Sequence, residues 1–292
     1  MLSIKNRKKF MWKQKLCLAT NEQFGEAEER QIELIRAAGF DGFFCMYADG
    51  KDLGSVRRIA DSCGAYFQSV HAPFVSMRKL WYPGDNTPAA VDELLHCIRD
   101  TANVGVSTVV MHAFIGFDDH VPTQQGLDNV NFLVDEAKRC NVRLAFENTE
   151  GEEYLAAIMQ AFGDRPYVGF CWDSGHEMCY NHSRDMLALY GDRLFCTHLN
   201  DNLGISDFDG NTTWLDDLHL LPYDGIADWH TFAERLVGTG YSGELTFELN
   251  TRSKPDRHDN DKYAGLPLAD YLAEAYARAC RFATEVRKAS RM

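Results

Sequence analysis

The sequence predicts a single (β/α)8 barrel, and three observations carry the prediction. Eight short β-type runs alternate with longer amphipathic stretches along 292 residues, the unit count of that barrel. Most of the runs are continuously apolar rather than alternating, as parallel strands covered on both faces require. Several helical stretches end in Gly or Asn just before the next run, which supplies a left-handed helix end.

In chain order the strand candidates are 16–20, 42–47, 66–71, 108–113, 142–148, 168–173, 194–199 and 244–249. The amphipathic stretches between them include 26–38, 55–63, 88–104, 126–140, 152–162 and 228–237, and a final helix spans 266–288. The first helix is closed by Ala38-Gly39, the second by Cys63-Gly64 and the third by Val104-Gly105. Cys140-Asn141 does the same with Asn, and Thr239-Gly240 stops the helix before the eighth strand. A doubly wound open sheet is the alternative, but it would carry G-x-G-x-x-G after the first strand. Thr20-Asn21-Glu22-Gln23-Phe24-Gly25 stands there instead. No composition shift marks a boundary, so residues 1–292 read as one domain, with 1–15 as a basic N-terminal extension.

Composition narrows the function. The chain is 45% hydrophobic, 25% charged and 12% aromatic, which excludes collagen-like, disordered and coiled-coil classes. No apolar run reaches the roughly 18 residues of a membrane span. The extension carries Lys5, Arg7, Lys8, Lys9, Lys13 and Lys15 but only a short apolar run after them, so it does not read as a signal peptide. Nine cysteines without a C-x-x-C pair suggest neither a disulfide framework nor a thiolate zinc site, and a cytoplasmic setting is expected. Cys17, Cys45, Cys171 and Cys196 lie in apolar runs and read as small core residues. Net charge is −13, and the acidic groups all lie beyond the extension. Such a body repels a polyanion, so nucleic acid is disfavoured as a partner.

The chemistry sits at the carboxyl ends of the strands, where barrels of this type place their active sites. Strand 3 stops at His71, strand 4 at His112, strand 5 at Glu147, strand 6 at Asp173 with His176 three residues on, strand 7 at His198 and strand 8 at Glu248. Apolar strands have little use for ionisable residues unless these are paired or metal-bound. Imidazole and carboxylate without thiolate suit one divalent ion, Mn²⁺, Zn²⁺, Co²⁺ or Mg²⁺, in an open catalytic site. Each residue also has a plainer role: His71 and His112 as core histidines, Asp173 as a helix cap, Glu147 and Glu248 as salt-bridge partners. Convergence on one rim decides for the metal. The long loop 200–227 carries six Asp and no Lys or Arg, and its Asp217-x-His219 points two more ligands the same way if extended. His96, His120, His182, His230 and His258 read as surface residues.

These residues resemble the xylose-isomerase-like barrel superfamily, which includes sugar and sugar-phosphate isomerases and epimerases, inosose dehydratases and endonuclease IV type apurinic-site nucleases. The resemblance spans nearly the whole chain and rests on Ser69-Val70-His71-Ala72-Pro73, Glu147-Asn148, Asp173-Ser174-Gly175-His176, His198-Leu199-Asn200-Asp201-Asn202, His219-Leu220-Leu221-Pro222, Asp224-Gly225 and Glu248. It implies a sugar isomerase or epimerase with a single ion held by Glu147, Asp173, His198 and Glu248. Glu147 and Glu248 would also move the proton at the carbon next to a carbonyl, through a metal-stabilised enediolate. His176 would bind a substrate oxygen, with His71, His112, Asp217 and His219 lining the pocket. An inosose-dehydratase-like lyase is the alternative. In the nuclease branch the nine residues His71, His112, Glu147, Asp173, His176, His198, Asp217, His219 and Glu248 would hold three Zn²⁺, a reading the charge opposes. Many epimerase relatives place an Arg in the strand-7 loop, and none lies between Arg193 and Arg235 here. A neutral keto-sugar or polyol is therefore favoured, unless Arg78 and Lys79 substitute. Trp81 and Tyr82, in an expected lid with Pro83-Gly84, offer the best flat faces to a sugar; Trp12, Trp172 and Trp214 are further aromatic candidates. The resemblance leaves room for a homo-oligomer.

Overall fold

The computed structural model describes residues 14–82, 84 and 87–291. The basic extension up to residue 13, Trp12 within it, and Pro83 of the expected lid lie outside the described residues.

Eight parallel strands form a nearly closed barrel: β1 (Leu16–Ala19), β2 (Gly42–Met46), β3 (Tyr66–His71), β4 (Thr108–His112), β5 (Arg143–Glu147), β6 (Val168–Asp173), β7 (Leu194–His198) and β8 (Leu245–Phe247). Their order in the sheet is β7-β6-β5-β4-β3-β2-β1-β8. The seam between β7 and β8 closes at its upper end, where the Leu199 amide donates to the Thr246 carbonyl at 2.8 Å and the Glu248 amide to the Leu199 carbonyl at 3.2 Å. Lower down a side chain replaces the ladder: the Thr246 amide donates to Thr197 Oγ1 at 3.1 Å.

The helices are α1 (Glu28–Ala38), α2 (Leu53–Cys63), α3 (Arg78–Trp81), α4 (Thr87–Asn103), α5 (Gln124–Cys140), α6 (Glu152–Phe162), α7 (Ser174–Cys179), α8 (Met186–Tyr190), α9 (Trp229–Gly238) and α10 (Leu268–Ala289). Among the described residues none is long and apolar enough to cross a membrane. The expected turn chemistry holds. Asn141 ends α5 at φ +55°, its amide returning to the Ala137 and Lys138 carbonyls. Gly39 ends α1 at φ +119°, and a Cβ there would lie 2.6 Å from the Tyr276 ring, so both conformation and space demand glycine.

The bulky core lies between sheet and helices. Ile32, Ile35, Phe40 and Phe43 are buried on one side, and Leu94, Leu133, Leu155, Ile158, Phe170, Phe232 and Phe282 continue the layer around the ring. Inside the barrel the buried cluster is small: Val110, Ala145, Cys171 and Cys196. Cys17 and Cys45 are also buried, as their apolar runs imply. Register then sets the height of the functional residues. His112 pairs with Glu147 across β4 and β5, and Asp173 pairs with His198 across β6 and β7. Strand ends that are level in the sheet deliver their side chains to one layer.

Candidate metal centre

Glu147 is the hub. Its carboxylate is fully buried at the end of β5. Oε2 lies 3.2 Å from His71 Nε2 and 3.7 Å from His112 Nε2. Oε1 lies 2.9 Å from His198 Nδ1 and 3.6 Å from His176 Nδ1. His198 Nδ1 is shared with Glu248 Oε2 at 3.0 Å, and the His198 ring stacks on Phe44 with centroids 4.5 Å apart. That stack fixes the ring plane, so the nitrogen stays aimed between the two carboxylates.

Asp173 joins from the next strand. It accepts the His176 amide at 2.7 Å, which caps α7, and takes two bonds from Asn200 Nδ2 at 3.1 and 2.9 Å. Its helix-cap role and its place in the site are therefore the same geometry. α7 is only six residues long and is held by an ion pair: Arg235 of α9 donates to both oxygens of buried Glu177 at 2.7 and 2.8 Å.

The long loop after β7 folds around Asp201. This buried carboxylate accepts the amides of Asn202, Ala227 and Tyr223 and the Trp229 indole N–H, all at 2.8–3.0 Å. One end of the loop is thereby tied to the other, and Asp217 is brought to His176 Nε2 at 3.3 Å and to His219 Nε2 at 2.9 Å. The pair converges as expected, but not through an extended chain. His219 sits in the left-handed region at φ +50°, a conformation that costs a non-glycine residue about 1–2 kcal/mol.

The electrostatics follow from burial and neighbours. Burial pushes the Glu147 carboxyl up, but the imidazoles around it, His198 first, hold it well below the usual carboxylate range. The same opposition leaves Glu248 at about 2. Asp173 is pushed up to about 6 by burial, which its imidazole neighbours only partly offset. Burial lowers His112 to about 3. It would lower His219 too, but Asp217 raises that ring to about 9. His176 and His198 are raised well above the ordinary value because their acidic partners outweigh burial.

This donor set fits a divalent ion. One ligand atom each from Glu147, Asp173, His198 and Glu248 lies within 4.8 Å of the others. Donors sharing one ion at about 2.1 Å stand roughly 3.0–3.4 Å apart, close to the 2.9 and 3.0 Å that separate His198 Nδ1 from the two glutamates. Buried His112 Nδ1 and His198 Nε2 have no hydrogen-bond partner among the described residues, although buried polar atoms ordinarily find one; both are the ring nitrogens opposite those that face the glutamates, so the fit rests on the donor spacing. Three further ligand groups adjoin the first: His71, His112 and Glu147; His176, Asp217 and His219; and Glu147, Cys171 and His198. Leaving aside the group that adds Cys171, all nine sequence candidates fall into three adjoining clusters, two of which share Glu147.

Trp81 requires a correction. It is fully buried, its indole N–H donates to the Ala113 carbonyl at 2.8 Å, and its ring packs on Tyr154 at 4.8 Å between centroids. A Cβ on Gly126 would lie 2.0 Å from the ring, so that face is covered as well. No face is left for a sugar. Tyr82 is bonded to the Tyr154 hydroxyl at 2.8 Å. Arg78 pairs with Asp119, and Lys79 reaches Ser76 at 3.4 Å. His96, His120, His182, His230 and His258 are exposed.

Several participants had no assigned role in the sequence. Asn148 exchanges two bonds with the Asp173 backbone, both at 2.8 Å. Asn200 orients the Asp173 carboxylate. Phe74 stacks on His112 with centroids 4.6 Å apart. An amide directly after an acid-ended apolar strand was the available signal for Asn148. Lys254, whose Nζ lies 3.5 Å from Asp217 Oδ2, comes from the loop after β8 and had no such signal.

Known proteins agree with this architecture. The family model described as Xylose isomerase-like TIM barrel matches residues 32–275. Uncharacterized protein y4fM of Sinorhizobium fredii (strain NBRC 101917 / NGR234) is 28% identical over 302 residues, covering 88% of this chain and 89% of its own length. Among solved structures, that of an L-ribulose 3-epimerase matches with a TM-score of 0.69 at 16% identity, covering 96% of each chain. An IOLI protein solved with a binding zinc atom matches with a TM-score of 0.67 at 19% identity, covering 95% of this chain and 100% of its own. At these identities the two structures speak for the fold.

Proposed function

The chain belongs to the xylose isomerase-like TIM-barrel family, and from that premise we propose that it is a divalent-metal-dependent sugar isomerase or epimerase acting on a small carbohydrate in the cytoplasm. One observation carries the reading: a single imidazole, His198, holds two carboxylates, Glu147 and Glu248, on one nitrogen at 2.9 and 3.0 Å. Two acid/base groups on either side of a common point are what moving a proton between faces or neighbouring carbons of a sugar needs. Structures resembling this one include an L-ribulose 3-epimerase and a protein that holds zinc, which supports both halves of the proposal.

Glu147, Asp173, His198 and Glu248 would hold the ion. When bound, it supplies positive charge to the substrate's carbonyl and hydroxyl oxygens and favours loss of the adjacent C–H proton. One of the two glutamates removes that proton and the other returns one. Glu248, with its side chain 20% exposed against the fully buried Glu147, faces the open side of the site. His176 donates to a substrate oxygen, while Asn200 and Asn148 keep Asp173 in place. The charge left on the substrate spreads from carbon to the carbonyl oxygen as an enediolate, where the raised His176 imidazole offers a proton-rich partner.

Exchange of substrate α-hydrogen with solvent deuterium across an aldose and ketose panel tests the reading. Exchange together with an isomeric product supports it. An unsaturated product points instead to an inosose-dehydratase-like lyase, and no exchange on any sugar removes it.

A second reading has its own observation. The His176–Asp217–His219 group and the His71–His112–Glu147 group would complete a three-ion centre like that implied for apurinic-site nucleases. The net charge of −13 and the acidic loop argue against a DNA partner. Metal stoichiometry separates the two: one ion per chain for the isomerase, three for the nuclease.

A further inference from the structure

We propose that Lys254 forms an oxyanion subsite on the rim of the centre, so that the substrate carries a carboxylate or a phosphate. This deepens the isomerase reading and rests on it for the identity of the site as a sugar site.

Cations are scarce around the centre. The loop 200–227 has six acids and no base. Asp216 Oδ1 is paired with Arg257 at 2.5 Å, its Oδ2 having no hydrogen-bond partner among the described residues, and Asp224 is paired with Arg278 at 2.6 Å. Arg78 and Lys79 have partners outside the centre. Among the described residues, Lys254 is the one Lys or Arg paired with a residue of the three clusters.

Several other part-buried cations have closer partners. Lys51, Arg235, Arg257 and Arg278 each make hydrogen bonds of 2.5–2.7 Å. Lys254 has a side chain only 18% exposed, yet its nearest acid, Asp217 Oδ2, is 3.5 Å away. A charge-assisted bond runs at about 2.7–2.9 Å. The stem of the side chain is therefore covered, while the ammonium stays in reach of solvent, makes only this loose ion pair among the described residues and keeps donors free for a ligand. Asp217 is a divided partner too, since its other oxygen already faces His176 and His219 at 3.3 and 2.9 Å. An oxyanion beside Lys254 would supply the missing acceptors.

Position gives the subsite its use. From Lys254 the path into the site runs through Asp217 to His219, whose Nδ1 reaches the Glu248 carbonyl at 3.2 Å. A substrate anchored at Lys254 by its charged end lies along this line toward the glutamate pair. Trp214 walls the same spot: Nζ is 5.4 Å from its ring centroid, and the ring is about half exposed. The flat face that Trp81 lacks is thus offered by Trp214, next to the cation. The sequence-based preference for a neutral sugar followed from the cation-free strand-7 loop. The cation arrives instead from the loop after β8.

The test is direct binding, independent of turnover. Inorganic phosphate and D-gluconate are titrated by calorimetry into the wild-type protein, Lys254→Met and Lys254→Arg, with tryptophan fluorescence followed in parallel. The proposal expects at least one of the two anions to bind wild type, to bind Lys254→Met at least tenfold more weakly, and to bind Lys254→Arg within a few-fold of wild type. Phosphate alone meeting this pattern assigns a phosphorylated substrate, and gluconate alone assigns a sugar acid. Absence of binding, or equal binding to wild type and Lys254→Met, overturns the subsite. If Lys254→Met does not fold, Lys254→Gln takes its place with the same criteria. Failure here leaves the isotope-exchange test of the isomerase reading untouched, and failure there leaves Lys254-dependent binding measurable.

Discussion

Glu147 Oε1 and His198 Nδ1 meet at 2.9 Å although they lie 51 residues apart in the chain. Around that contact stand three more imidazoles and a second glutamate, so Glu147 is the residue on which the whole centre turns. Glu147→Gln keeps the shape and removes the charge. Turnover on the identified sugar should fall by about 10³-fold or more, and the purified variant should carry less metal by elemental analysis while its far-ultraviolet circular dichroism is unchanged. Turnover near that of wild type would show that the acid/base assignment is wrong.

Gly175 tests the support of Asp173. A Cβ there would lie 1.9 Å from Asn200 Oδ1, and Asn200 is held by its bonds to Asp173 and by its amide on Ser174 Oγ at 2.9 Å. Alanine is the better helix former by about 1 kcal/mol, yet Gly175→Ala should weaken metal binding by about 10–100-fold, because displacing a ligand's hydrogen-bond partner misaims the ligand. Adding Asn200→Ala should relieve the clash and recover thermal stability but not affinity. Wild-type affinity in Gly175→Ala would mean that Asn200 does not orient Asp173.

Trp81 separates packing from substrate contact. Trp81→Phe leaves the Ala113 carbonyl without its donor and opens a small cavity, a loss of about 1–3 kcal/mol. Urea unfolding should register that loss, while KM stays within twofold of wild type. A raised KM at unchanged stability would return Trp81 to the substrate site.

Asp224 predicts an acid-side effect on stability. Burial pushes its carboxyl up, but bonds from the Tyr263 hydroxyl, Lys262 and Arg278 outweigh that and lower it. A lowered folded-state value contributes stability that is complete above the unfolded value, about 3.9, and that is lost as pH falls through the folded value. Between pH 5 and pH 3 the urea midpoint of wild type should therefore drop more than that of Asp224→Asn. Parallel profiles would assign the acid sensitivity to other carboxylates.

Element by element, legibility followed length and pattern. The limits of β3, β6 and α6 are readable to the residue, since a Gly or Pro stands within two residues of each end and punctuates the pattern. The helices α3, α7 and α8, four to six residues long, span too few turns for a 3.6-residue period to emerge. Asp217-x-His219 announces a pair but not its backbone, because residues so spaced converge either along a strand or, as here with His219 at φ +50°, around a tight turn.

The sequence by itself determined the barrel, the strand ends and the acids and imidazoles placed on them, since each is a local pattern of apolar runs and their stops. Only the tertiary structure decided which of these share a nitrogen, that Trp81 is walled in by Gly126, and that Lys254 reaches Asp217 from another loop. Those outcomes depend on strand register and ring closure, which bring residues tens of positions apart to within 3–4 Å, and no short window of sequence encodes such distances.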